Sequence, residues 1–155
     1  MDAPIWSTVA VLVARLIFAA VFLVAVAFKV SDIKIPSTMI AEAGLPLPKL
    51  LAWLAAMLEL ALVIAFVSGA FFSEASLVAA VYIIFLAFAF YGPSRWAANK
   101  PELFLFINHF AFTAGLLFAA AHGPGTVLAV KSVPLLPVPD QVAQSVTPEA
   151  PNAVR

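Results

Sequence analysis

Arg15, Lys29, Glu59, Asn108 and His109 are the residues of this chain best placed for chemistry, because each stands inside or at the edge of a long apolar run. A charged side chain at the centre of a membrane helix costs about 2.5–3.5 kcal/mol on insertion scales, so it turns toward a partner or a cavity. An α-helix rises about 1.5 Å per residue. Counted from the lysines at the run ends, Glu59 lies ten residues past Lys49, His109 nine past Lys100 and Arg15 fourteen before Lys29. These depths bring Arg15, Glu59 and His109 toward one polar layer near mid-bilayer. The spacing predicts an Arg15–Glu59 ion pair joined to Asn108 and His109, since a planar guanidinium can bind a carboxylate through two parallel hydrogen bonds. Such a cluster either fastens the first two spans together and does nothing more, or it serves a ligand or a proton. The residue types admit both.

Imidazole is the side chain suited to proton exchange at physiological pH, so His109 could carry a proton or hold a quinone carbonyl; it could equally bond a neighbouring carbonyl or serine. Neighbouring positions on a helix point about 100° apart, so Asn108 and His109 need not share a partner. Lys29 either snorkels to the interface or guards a pocket beneath the connection that follows it. The candidate ligand-binding residues are therefore Glu59, Asn108, His109 and Lys29, with Arg15 and Glu59 as a structural pair. No residue is singled out as catalytic. No metal site is expected: two histidines are too few for a histidine-rich centre, a single histidine within the spans argues against a haem with two histidine ligands or a catalytic metal unless chains combine, and the absence of cysteine removes thiolate ligands. His122, beside Gly123, reads as a helix C-terminal cap.

The elements that must position these residues follow from composition. The 155 residues are 65% hydrophobic and only 10% charged, against about 25% charged in soluble domains, so a water-soluble enzyme is nearly excluded. The net charge is zero, which leaves no basic surface for nucleic acid. A bilayer core about 30 Å thick needs roughly 20 apolar residues per helix. Four stretches qualify, at about 5–28, 50–72, 75–91 and 103–121. The expected fold is all-α, a polytopic four-transmembrane-helix bundle over 1–122. A Pro-rich tail follows over 123–155, partly disordered from about Asp140 onward. The third span carries no charge and is expected to face lipid or a partner. In the first connection, IPSTMIAEAGLPLPK, Pro36 and Ser37 could open a short interfacial or re-entrant helix that Gly44 and Pro46 close; the alternative is an ordinary loop. The first span reads as a retained helix rather than a cleaved leader, despite the small residues Ala25–Ala27. Lys29, Lys34, Lys49, Arg95 and Lys100 fall on one side, against Lys131 and Arg155 on the other. This bias puts the first and third connections in the cytoplasm and both termini on the outer face of a bacterial inner membrane.

The arrangement resembles the DoxX family of small bacterial membrane proteins over roughly residues 10–121. The likeness is carried by RLIFAAVFLVAVAFKV, with Arg15 and Lys29; by GLPLPKLLAWLAAMLEL, with Glu59; and by ELFLFINHFAFTAGLLFAA, with Asn108. Two features depart from the family pattern. Ala27 and Phe28 precede Lys29 where the family often has Gly, and Ile107 precedes Asn108 where it often has a basic residue. The resemblance implies a four-helix bundle and, from the subunit associated with thiosulfate:quinone oxidoreductase that names the family, a quinone-linked or redox-partner role.

The leading expectation is an accessory or quinone- or lipid-binding subunit beside a redox partner, its ligand near Glu59, Asn108 and His109. The alternative is a structural or assembly subunit with no ligand of its own, meeting a protein partner or a second copy. A transporter would require oligomerisation, since four helices make a thin path. A cavity touching Glu59 and His109 would favour the first, and a packed polar cluster without a void the second.

Overall fold

The computed structural model describes residues 5–96, 100–125 and 129. Helix α1 covers Ile5–Ser31, α2 Lys34–Glu42, α3 Pro48–Ser68, α4 Phe72–Tyr91, α5 Pro93–Trp96 and α6 Lys100–His122. Among the described residues there is no strand. Four of the helices are long and apolar enough to cross a membrane, over Val9–Ser31, Pro48–Ser68, Phe72–Tyr91 and Lys100–His122. The architecture is all-α with four membrane-spanning helices. Apart from Ala129, the tail beyond residue 125 lies outside the described residues.

The helix ends differ from the apolar runs where turn chemistry overrides hydropathy. The second run continues to Phe72, but α3 stops at Ser68. Gly69 adopts the left-handed conformation (φ 71°) and donates its N–H to the Ala65 carbonyl at 2.8 Å, as a C-terminal glycine does. Phe71 is also left-handed (φ 50°), and α4 begins at the next residue. The third span therefore starts three residues before Ala75, where the run of sequence had placed it.

The first connection holds a helix, α2, which begins at Lys34, two residues ahead of Pro36. Asp32 Oδ1 accepts the Lys34 N–H at 3.0 Å, and Pro36 occupies the first turn, where a missing N–H costs nothing. Gly44 (φ 75°) reverses the chain at the far end. Pro36, Ser37 and Ile40 are buried, and α2 packs on α3.

The spans pair as α1 with α3 and α4 with α6, with a lighter contact between α3 and α4. The core between them is aromatic and small-residue in character. Phe22 stacks on Phe66 at 5.8 Å, Phe18 meets Phe66 at 5.6 Å and Phe112 at 5.4 Å, and Leu62, Ala79, Ala80 and Leu116 fill the remainder. Lipid-solvated helices gain nothing by hiding apolar surface from other apolar surface, so close packing of small side chains sets their association. Ser76, Ala79, Ala80 and Ala87 supply it along α4. The charge-free third span, expected to face lipid or a partner, is the most buried of the four, with 39% of its apolar window buried against 11% for α6, while Val78, Val81, Phe85 and Phe88 remain exposed along its other face. Lack of charge marked a helix whose small residues let others approach.

Candidate functional site

Glu59 stands midway along α3 with 2% of its side chain exposed. It accepts hydrogen bonds from two other helices. Lys29 Nζ, near the end of α1, lies 2.7 Å from Oε1 and 2.9 Å from Oε2, and the Tyr82 hydroxyl of α4 donates to Oε1 at 2.7 Å. The cluster joins three helices and is neutral as a unit, which is what tolerates a carboxylate at this depth.

Above this cluster is a half-open cavity of about 380 Å³. Its walls are apolar: Phe28 from α1; Ile35, Pro36, Met39 and Ile40 from α2; Leu51, Leu54, Ala55 and Leu58 from α3; Phe85, Leu86 and Phe90 from α4. Leu45, in the turn after α2, closes one corner. The polar groups in the lining are Lys29, Tyr82, Tyr91 and His109. His109 Nδ1 lies 2.7 Å from the Leu105 carbonyl, one turn back in α6, and its ring sits 5.1 Å from that of Tyr91. Trp96 Nε1 donates to the Tyr91 carbonyl at 2.8 Å and its ring meets Phe106 at 4.8 Å. An apolar chamber of this size with a few convergent polar groups has the form of a small-molecule site.

The residues singled out from sequence divide here. Lys29 and His109 line the cavity, and Glu59 lies behind it, fixing Lys29 and Tyr82. Lys29 thus lines a cavity beside the first connection with its ammonium turned to Glu59. Asn108 is exposed and outside the lining, on the diverging face that adjacency to His109 dictates. The predicted Arg15–Glu59 pair is corrected: Glu59 takes Lys29 instead. Arg15 works at the opposite end of α3, where Nε donates to the Phe66 carbonyl at 3.1 Å and Nη2 to the Val67 carbonyl at 2.8 Å. Nη1 donates to the Pro124 carbonyl at 3.2 Å, just past α6. Those are last-turn carbonyls of α3 with no helical partner, and a cation there also complements the helix dipole. The depth count failed because it gave height without direction, and because the flexible Lys29 side chain reaches inward from its own helix end.

Tyr82 was passed over in the sequence, and Tyr91 reads there, with Trp96, only as an interfacial aromatic residue. A signal for Tyr82 was present: a phenolic hydroxyl in the middle of a charge-free span needs a hydrogen-bond partner, and the only acidic residue deep in another span is Glu59. His122 bonds within its own helix, Nδ1 lying 2.8 Å from the Phe118 carbonyl, while the Gly123 N–H closes α6 on Ala119 at 3.0 Å. Among the described residues no group of three or more His, Asp or Glu side chains could hold a metal ion.

The DoxX family model matches residues 10–92. That range carries α1 to α4 with Arg15, Lys29, Glu59 and Tyr82, and it stops short of α6 with Asn108 and His109. No curated protein and no solved structure matches the chain.

Proposed function

The chain belongs to the DoxX family, as a multi-pass inner-membrane protein, and on that premise we propose that it is a ligand-holding subunit that works beside a redox partner. Its cavity takes a lipid-soluble molecule of the quinone or lipid class, with the polar end at Lys29, Tyr82 and His109 and the apolar part along α2 and α3. The observation that carries this reading is the about 380 Å³ chamber lined by those polar groups. It falls toward the low end of the range of about 300–1,000 Å³ typical of small-molecule sites, which suits one ring and a short length of chain. The lining residues lie toward the end of the bundle that carries Lys34, Lys49 and Lys100, so the positive-inside bias supports a ligand held near the cytoplasmic leaflet, with both termini outside.

The test is purification in native lipid particles followed by mass spectrometry of the solvent extract. A ring-bearing lipid enriched over the bulk membrane supports the reading. An extract identical to the surrounding lipid, with a stable protein partner and no small molecule, supports instead the structural role. One observation favours that second reading for part of the molecule: Arg15 is satisfied by main-chain carbonyls and stands far from the cavity.

A further inference from the structure

We infer that the ligand of this cavity offers a hydroxyl hydrogen to His109, so that the site takes a lipid-soluble alcohol or phenol in preference to a compound whose polar end only accepts. The inference rests on the reading that the cavity holds a lipid-soluble ligand. It comes from which hydrogens the protein has already committed. A backbone carbonyl can only accept, so the 2.7 Å contact between His109 Nδ1 and the Leu105 carbonyl requires the proton on Nδ1. In the neutral ring Nε2 is then a bare acceptor, and it has no partner among the described residues. Tyr82 gives its only hydroxyl hydrogen to Glu59, which leaves oxygen lone pairs. Lys29 directs two of its three hydrogens at the same carboxylate.

Two of the four polar groups in the lining are thus donors toward the protein and acceptors toward a guest. One Lys29 hydrogen and the ambivalent Tyr91 hydroxyl complete the set. An acceptor that a guest covers without bonding it carries a desolvation cost. A guest hydroxyl removes that cost at His109 and can still accept from Lys29. A guest carbonyl or ether can use Lys29 but leaves the imidazole bare. Within the quinone class the same logic selects the quinol, which carries hydroxyls, over the quinone, which does not.

The experiment uses the full chain in lipid nanodiscs with ¹⁵N-labelled histidine, and a His122→Gln variant assigns the two rings. The probes are 4-nonylphenol and its methyl ether, 4-nonylanisole, compared at equal mole fraction in the bilayer. The expected result is a pyridine-like His109 Nε2 without ligand, a shift of that resonance with the phenol, and about tenfold weaker binding of the ether. His109→Phe should bring the phenol down to the level of the ether. Three results would overturn the inference and leave the cavity reading standing: a protonated Nε2 in the empty site, equal binding of the two probes, or phenol binding that leaves the His109 resonance unmoved. Failure of both probes to bind would remove the cavity reading as well.

Discussion

Glu59 keeps its place in an apolar interior because Lys29 and Tyr82 reach it from two other helices. Removing one member of a buried pair strands the other, at about 3–5 kcal/mol, whereas replacing both with apolar groups can be neutral. Lys29→Met and Glu59→Leu should therefore each lower the thermal unfolding midpoint in detergent, and the double variant should recover most of the loss. A double variant as unstable as the sum of the singles would contradict the pairing. Tyr82→Phe deletes a hydrogen bond to a charged acceptor and should cost about 1.5–3 kcal/mol in the same assay. These residues were unequally legible. Lys29, Glu59 and His109 announce themselves by type, since ionisable groups do not belong in hydrocarbon. Tyr82 hides among aromatic residues that pack or face lipid, and only its hydroxyl distinguishes it. Partner choice was not legible at all: spacing along a helix gives depth, and the Lys29 partner depends on which faces of α1 and α3 meet.

At the scale of elements, the turn between α3 and α4 depends on Gly69. Its φ of 71° disfavours any side chain, and a Cβ there would lie 2.8 Å from Arg15 Nη2 and 3.2 Å from the Ala129 backbone. Gly69→Ala should destabilise the bundle by more than about 1 kcal/mol, read as a lower unfolding midpoint. An unchanged midpoint would mean that the Arg15 clamp yields freely. Hydropathy made the four spans legible because a bilayer imposes their length. It could not end α3 at Ser68, since Ala70, Phe71 and Phe72 continue the apolar run through the turn. The short helix in the first connection was legible from Pro36 and Gly44, although the Asp32 side chain moves its start to Lys34. The buried face of α4 was not legible for a physical reason: a helix of small apolar residues reads as lipid-soluble whether its neighbours are lipid or other helices.

At the scale of the whole molecule, the bundle has two unlike ends. One is fastened by Arg15 to the last carbonyls of α3 and to Pro124; the other is hollow beneath α2. Because the chain has no native cysteine, single cysteines report its orientation cleanly. In intact cells Ser73→Cys should react with a membrane-impermeant maleimide, while Lys49→Cys should react only after permeabilisation. The reverse pattern would invert the proposed topology and place the cavity at the outer leaflet. The central claim, that the hollow end holds a lipid-soluble ligand, is tested most directly by filling it. Ala55 lines the chamber from α3, and Ala55→Trp adds bulk there while leaving Lys29, Glu59 and Tyr82 in place. Ligand content per chain, measured by native mass spectrometry of particles drawn from the same membranes, should be near one small molecule for the unaltered protein and near zero for the filled variant. Equal occupancy in the two, or none in either, would contradict the account.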